Sequence, residues 1–140
     1  MNTAIDLDGV ITNKNWYKGR LWLPWWFILC GLVVLERFIL SRRGIVDFRR
    51  DRRKQGDRII IISARPKNSP IRLITKRWLA RYNVPYNKLI LVGVGRRLDA
   101  FKSAAIKKEK VVFYLDDDRK TVNYLNGQLE RVKVYCFGAL

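Results

Sequence analysis

The sequence contains no histidine, only two cysteines and one methionine, and far fewer acidic than basic residues. The absence of histidine excludes histidine metal sites, Ser-His triads and Cys-His dyads. The cysteines, Cys30 and Cys136, lie in apolar runs. We interpret them as small core or interface residues in a reducing compartment, not as a disulfide or a metal site. Asp6 lies so close to Met1 that we expect no signal peptide before it.

Positive charge dominates the composition. The chain has 29 Lys and Arg against 12 Asp and Glu, a formal net charge of +17. Almost half of the basic residues lie between Arg42 and Arg81. A field this positive attracts polyanions, so we expect nucleic acid, anionic lipid headgroups or another acidic surface as a partner. A length of 140 residues is typical of one domain, and we treat 1–140 as a single domain.

Two acidic clusters follow apolar runs that are more than 100 residues apart in the sequence. Asp6 and Asp8 end the first run, and Asp116–Asp118 follow the second. Each run is typical of a buried strand, and strands of one sheet can bring their terminal carboxylates together. Carboxylates so close repel one another unless a proton or a cation intervenes. Oxygen-only ligands suit Mg²⁺, so the pattern predicts a metal-assisted phosphoryl-transfer site.

Strand-like and helix-like segments alternate along the chain. Apolar runs predict strands at 3–7, 58–62, 89–92, 111–115 and 132–137, the second of them central and the last at an edge. Helices are predicted from Ser69, as N-cap, to about Tyr82, over 98–108, and from 120 to 125 with a stop at Asn126-Gly127. This alternation predicts an α/β fold, a three-layer Rossmann-like parallel sheet. Ligands of such sheets bind beyond the carboxyl ends of the strands.

Four segments resemble, in order, the motifs of the haloacid dehalogenase-like (HAD) superfamily of hydrolases. The resemblance spans residues 3–137. The segment 6–12 is similar to the first motif, Asp-x-Asp-Gly followed by Thr or Val, and 59–66 to the second, a strand ending in Ser or Thr. Lys102 is the best match to the third motif, a lone lysine near a helix start, with Lys107 and Lys108 as alternatives. The segment 115–118 is similar to the fourth motif.

The resemblance implies a Mg²⁺-dependent phosphatase that works through an aspartyl-phosphate. It implies that Asp6 is the nucleophile and that Asp8 is first the general acid and then the base. It also implies that Ser63, Ala64 and Lys102 bind the phosphoryl group, with Lys102 neutralising its charge. The implied metal ligands are Asp6, the backbone carbonyl of Asp8, Asp116 and, as the stronger candidate for direct coordination, Asp117. Asp118 is expected to cap the following helix.

Residues 13–57 are predicted to form a small helical, Trp-rich apolar insertion after the first strand, a cap or an anchor. The stretch from Leu21 to Leu35 has no charged side chain, and four of the five Trp lie between Trp16 and Trp26. Tryptophan favours membrane–water boundaries. A single crossing would separate Asp6 from Asp117, so we expect an interfacial or shallow re-entrant anchor on anionic headgroups. A homo-oligomer or partner interface and internal burial are the alternatives.

The leading functional hypothesis is a phosphomonoesterase at the cytoplasmic face of a membrane, acting on an anionic or lipidic phosphate. The runner-up is a polynucleotide end phosphatase, in which Trp would stack bases and Arg would follow the backbone. The segment 63–66 and the helix after it somewhat resemble phosphatases of nucleic-acid ends. The third hypothesis is a non-catalytic basic adaptor that binds membrane or nucleic acid. Intact Asp6 and Asp8 argue against it, because a binding module does not need the second carboxylate.

Overall fold

The computed structural model describes residues 1–11, 51 and 53–137. Five strands lie within them: β1 (Asn2–Ile5), β2 (Arg58–Ser63), β3 (Lys88–Leu91), β4 (Phe113–Asp116) and β5 (Lys133–Cys136). A short π-helical turn, Leu7–Ile11, follows β1. Three helices follow β2, β3 and β4 in turn: α1 (Ser69–Arg81), α2 (Leu98–Lys108) and α3 (Arg119–Gln128).

Most of the predicted insertion 13–57 lies outside the described residues, which include only 51 and 53–57 of it. Cys30 and the Trp-rich stretch 21–40 are therefore outside them too. In the described part of the chain, no helix is both long and apolar enough to cross a membrane. The interfacial anchor at 21–40 stays a prediction.

All five strands are parallel and lie in the order β3-β2-β1-β4-β5. This confirms the predicted α/β fold with a Rossmann-like parallel sheet. The strand from Arg58 is an interior strand and the last strand is an edge, as its sequence pattern predicted. Ile5 pairs with Ile61 on one side and with Leu115 on the other. The carboxyl ends of β1, β2 and β4 therefore lie next to one another.

Helices cover both faces of the sheet, because successive side chains of a strand point to opposite faces. Ile5, Ile61 and Leu115 pack with the apolar face of α1 and with the turn after β1. The residues that precede them, Ala4, Ile60 and Tyr114, pack instead with α2 and α3. The same alternation carries Asp6 and Asp116 to the face that α2 covers.

The helix starts follow side-chain caps, one of which the sequence pattern misplaced. The N-cap of α1 is Asn68 and not the predicted Ser69, because the Asn68 side-chain oxygen accepts a hydrogen bond from the backbone N–H of Ile71 at 3.0 Å. Ser69 and Pro70 occupy the first turn. Asp118 caps α3, as predicted, and accepts from the N–H of Lys120 at 3.3 Å.

Three predicted element ends are wrong by two or more residues. β1 ends at Ile5 rather than at Leu7, which begins the π-helical turn. β4 begins at Phe113 rather than at Val111, whose N–H donates to the carbonyl of Ile106 in α2 at 3.1 Å and so closes the end of that helix. Helix α3 continues through Gly127 to Gln128 instead of stopping at Asn126-Gly127. A glycine in a helix costs about 1 kcal/mol, which burial of Val122 and Leu125 on the same helix offsets.

Candidate active site

Polar residues stand at the carboxyl ends of three neighbouring strands. Asp6 follows β1, Ser63 ends β2 and Asp116 ends β4. The N–H of Asp6 donates to the carbonyl of Leu115 at 2.8 Å, which extends the pairing of β1 with β4 to the residue that carries the carboxylate. All three polar side chains are buried. The parallel strand order thus brings together residues that are far apart in the sequence.

Lys102 lies between two of the carboxylates. Its ammonium is 3.2 Å from Oδ1 of Asp6 and 2.5 Å from Oδ2 of Asp116, and its side chain is only 3% exposed. Asp116 Oδ2 also accepts from the hydroxyl of Tyr114 at 2.8 Å, and its Oδ1 accepts from the N–H of Asp118 at 3.0 Å. Oδ1 of Asp6 is buried and accepts no hydrogen bond from the described residues, although the Lys102 ammonium is within ion-pair distance. Asp116 is therefore fixed by three donors, while Asp6 keeps an oxygen available.

The electrostatics of the site disfavour a charge on Asp6. Burial raises the pKa of its carboxyl well above the ordinary value, Lys102 offsets only part of this, and Asp116, Asp8 and Asp117 raise the pKa further. Burial lowers the pKa of Lys102, but the Asp6 and Asp116 carboxylates outweigh burial and raise it overall. Lys102 is therefore a permanent cation at neutral pH. Positive charge beyond that of Lys102 would favour the ionised form of Asp6.

Asp8 belongs to a second hydrogen-bond network, which includes Arg65, Ser63 and Thr75. The guanidinium of Arg65 donates to both of its oxygens, from Nε to Oδ2 and from Nη2 to Oδ1, each at 2.8 Å. Ser63 Oγ donates to Oδ2 of Asp8 at 3.3 Å. Nη1 of Arg65 donates to the hydroxyl of Thr75 at 2.9 Å, and Thr75 in turn donates to the carbonyl of Ile71 at 2.7 Å. One buried arginine thus links the turn after β1 to helix α1.

Three carboxylates of the site fit a metal ion. One oxygen each from Asp6, Asp116 and Asp117 lies within 4.8 Å of the others. Asp6 has one buried oxygen that accepts no hydrogen bond from the described residues, and a divalent ion held by this group would offset the burial and the carboxylate repulsion that raise the pKa of Asp6. An all-oxygen ligand set suits Mg²⁺ or a similar hard cation. The carboxylate of Asp8 is not part of this group, and the predicted role of its backbone carbonyl stays a prediction.

The remaining predicted residues lie around this centre or away from it. Ala64 is half-buried directly after Ser63, and its predicted contact with the phosphoryl group stays a prediction. Lys107 and Lys108, the alternatives to Lys102, are exposed in the last turn of α2. Gly93 and Gly95 have φ of 89° and 125°, so they form a turn that other residues would adopt only with strain.

Arg65 and Tyr114 are two contact residues to which the sequence analysis gave no role. Tyr114 could have been found, because it stands two positions before Asp116 and hence on the same face of β4. The carboxylate partner of Arg65 could not have been found from the sequence, because the contact depends on how the turn after β1 packs against the loop after β2. Both side chains are fully or almost fully buried, and both donate to a carboxylate of the site.

Comparison with known proteins identifies the fold. No family model and no curated protein matches the chain. Two similar solved structures are chains of the Pnkp1/Rnl/Hen1 RNA repair complex. The first has a TM-score of 0.71 and 23% identity, covering 96% of this chain and 42% of that chain. The second has a TM-score of 0.70 and 22% identity, covering 96% and 45%. The chain thus spans less than half the length of these relatives, and the likeness shows the shared fold.

Proposed function

We propose that the chain is a metal-dependent phosphomonoesterase of the HAD type that removes a terminal phosphate from a nucleic acid. One observation carries the proposal. A buried carboxylate, Asp6, has an oxygen that accepts no hydrogen bond from the described residues, and it lies in ion-pair contact with the buried ammonium of Lys102 and near further carboxylates. A carboxylate that only stabilised the fold would have its oxygens satisfied. An oxygen left available at the carboxyl end of a central strand suits a nucleophile.

In the first step, an oxygen of Asp6 attacks the phosphorus atom of the substrate. A P–O bond to Asp6 forms while the bond from phosphorus to the leaving oxygen of the substrate breaks. Lys102 offsets the negative charge on the phosphoryl group, and its hydrogen bond to Asp116 holds its ammonium in place. The product of this step is an aspartyl-phosphate on Asp6 and an alcohol.

Asp8 moves the proton in both steps. It donates a proton to the leaving oxygen, then takes one from the water that attacks the aspartyl-phosphate, releasing inorganic phosphate and restoring Asp6. Arg65 occupies both oxygens of Asp8, so one of the two hydrogen bonds has to open when Asp8 donates. Ser63 already donates to Asp8, and its hydroxyl can turn towards a phosphoryl oxygen instead.

The metal would be held by Asp6, Asp116 and Asp117, whose oxygens lie together. A bound divalent ion would stabilise the charge of the phosphoryl group and favour the ionised form of Asp6. Asp116 has two donors on Oδ2 and one on Oδ1. Its Oδ1 therefore has the greater remaining capacity to accept a ligand.

Two observations support a nucleic-acid substrate. The chain has a formal net charge of +17, which favours a polyanion over a small metabolite. The similar structures are chains of an RNA repair complex, so nucleic acid is the substrate class that this likeness suggests. The lipidic substrate of the leading sequence hypothesis depends on residues 21–40, which lie outside the described residues. Peripheral attachment to a cytoplasmic membrane face is retained as a proposal with its own test.

The test is release of inorganic phosphate from 3′- and 5′-phosphorylated oligonucleotides, an aryl phosphate and a phosphorylated lipid, with Mg²⁺ and with chelator. We expect turnover of an oligonucleotide end that requires Mg²⁺. The Asp6→Asn change should reduce it to background, and Asp8→Asn should reduce it roughly 10²–10⁴-fold. The matched control is Asp118→Asn in the same acidic triplet. Asparagine is an equally good N-cap, so this variant should retain activity.

Two results would contradict the proposal. Undiminished turnover in the Asp6→Asn variant would exclude Asp6 as the nucleophile. Turnover of the lipid phosphate alone would restore the membrane hypothesis in place of the nucleic-acid one.

A further inference from the structure

An exposed aromatic ring and an exposed ammonium lie in contact beside the candidate active site. Nζ of Lys67 is 4.9 Å from the ring centroid of Phe101. Phe101 is 42% exposed, although a phenylalanine gains from burial. Lys67 is exposed as well. Neither side chain is needed to fill the core, so their contact is a feature of the surface.

Both residues are tied to the site by their neighbours in the chain. Phe101 directly precedes Lys102, the lysine that contacts Asp6. Lys67 stands two residues after Arg65, which holds Asp8. The carbonyl of Arg65 accepts from the N–H of Gly93 at 3.0 Å, so the loop after β2 is fastened to the loop after β3. The pair therefore lies at the same edge of the sheet as the catalytic carboxylates.

Further positive charge surrounds the pair. Arg96 and Arg97, in the loop that leads from Gly93 to α2, are both exposed. The nearest acidic residue of α2, Asp99, has an oxygen that accepts from the hydroxyl of Thr121 at 2.7 Å. A ligand that passes over Phe101 thus meets cations on the surface before it reaches the acidic centre.

This combination fits a single-stranded nucleic acid. Proteins bind unpaired strands by stacking bases on aromatic rings and by placing cations along the phosphates, which requires no particular sequence. We propose that Lys67 and Phe101 form a docking surface for the nucleotide next to the terminal phosphate, its base on Phe101 and its phosphate on Lys67. The proposal deepens the proposed function, on which its orientation rests, but binding to the docking surface can be measured without catalysis.

The experiment measures binding of a fluorescein-labelled, unphosphorylated ten-nucleotide oligo(dT) to the full chain by anisotropy, in chelator and at low salt. We expect the double variant Lys67→Ala/Phe101→Ala to bind at least tenfold more weakly, because it removes both the stacking ring and the phosphate contact. The matched control is Lys107→Ala/Tyr124→Ala, which also removes one positive charge and one exposed aromatic ring. Lys107 lies in the last turn of α2, and Tyr124, on α3, is 41% exposed. It should bind within twofold of the wild type.

A second arm uses an abasic strand of the same length, which keeps the phosphates but has no base to stack on Phe101. Wild type should bind it more weakly than the intact oligonucleotide, and the Lys67→Ala/Phe101→Ala variant should lose this preference. Equal losses in that variant and in the control would mean that only the overall charge acts, and would overturn the docking surface. Unchanged binding in the Lys67→Ala/Phe101→Ala variant would overturn it too.

Two further measurements distinguish this proposal from lipid binding and from the proposed function. In one, vesicles of anionic lipid replace the oligonucleotide. If the Lys67→Ala/Phe101→Ala variant binds vesicles more weakly but binds oligo(dT) normally, the surface binds lipid and the proposal is rejected. Turnover of glycerol phosphate, which has no ring to stack on Phe101, is the other, and it should be unchanged in the variant while turnover of a phosphorylated oligonucleotide falls. If wild type hydrolyses neither phosphate, the proposed function fails, and the binding data still decide the docking surface.

Discussion

Lys102 and Arg65 divide the carboxylates of the site between them. Lys102 contacts Asp6 and Asp116, whereas Arg65 holds both oxygens of Asp8. A compact ammonium would suit a centre that also binds the proposed metal and phosphoryl group, because it supplies positive charge without fixing the plane of a carboxylate. A guanidinium fixes the plane of one carboxylate through two parallel hydrogen bonds. The two aspartates that follow β1 are thus held differently, as the proposed roles of a nucleophile and a proton donor would require.

The raised pKa of Asp6 has a consequence for stability. A carboxyl whose pKa is higher in the folded than in the unfolded protein binds more protons when folded. The free energy of unfolding therefore falls as the pH rises from the ordinary pKa of 3.8 towards the raised value. Lys102, with its raised pKa, stays charged in both states through this range and adds no slope. The metal-free protein is thus less stable at neutral pH than it would be without the Asp6 charge.

We expect the Asp6→Asn variant in chelator to have a higher Tm than the wild type at pH 7, and the difference to shrink as the pH is lowered towards 4. One kcal/mol shifts Tm by roughly 4 °C in a domain of this size. Saturating Mg²⁺ should raise the Tm of the wild type by several degrees and that of the variant by less. Thermal melts over this pH range are the measurement, with Asp118→Asn as the control. A wild type that is the more stable protein at pH 7 in chelator would contradict the expectation.

At the scale of the secondary-structure elements, the sequence predicted best those features that depend on the residues of a single strand. The density of β-branched residues at 58–62 identifies an interior strand, and the acidic residues after β1 and β4 mark the carboxyl ends where a parallel sheet binds ligands. The boundaries at Val111 and at Asn126-Gly127 failed for a common reason. Each depends on contacts with another element, the end of α2 in one case and the buried side of α3 in the other.

Arg65 shows the same limit within the site. A strand pattern can place it after β2, but its partners come from the turn after β1 and from α1. The side chain of Asp8 meets Arg65 only once that turn and this loop have packed together. Contacts of this kind are set by tertiary structure, so a motif match locates the residue without revealing what it holds.

The N-cap of α1 offers a test at this scale, because the sequence and the structure favour adjacent residues. Asn68 accepts from the N–H of Ile71, whereas Ser69 is exposed in the first turn. We expect Asn68→Ala to lower the free energy of unfolding by about 1 kcal/mol. The control Ser69→Ala should change it by less than about half of that. Urea denaturation of both variants is the measurement, and a larger loss in Ser69→Ala would restore the cap that the sequence predicted.

At the scale of the whole molecule, negative charge is concentrated where the chemistry is proposed. Asp6, Asp8 and Asp116–Asp118 make up five of the 12 acidic residues of a chain with 29 basic ones. A polyanion is therefore drawn to most of the surface, while a divalent cation is drawn to one place. The two attractions do not compete, and under the proposed function the terminal phosphate of the polyanion would meet both. Binding of nucleic acid should weaken steeply with salt, whereas retention of the metal in a buried site should depend on salt far less.

The same positive charge complicates the membrane hypothesis, because a basic protein binds anionic vesicles whether or not it inserts an apolar segment. Insertion of the apolar stretch 21–40 would add a hydrophobic contribution to the binding free energy, which salt does not screen. Binding through insertion and binding through charge alone therefore differ at high ionic strength. If the stretch is an interfacial anchor, the intact chain should sediment with anionic liposomes in 0.5 M salt, at about the ionic strength where surface charges are strongly screened. The variant Trp25→Ser/Trp26→Ser, which keeps every charge, should sediment far less. Equal recovery of the two proteins at low salt, with none of either at high salt, would assign vesicle binding to charge alone and remove the reason for placing this chain on a membrane.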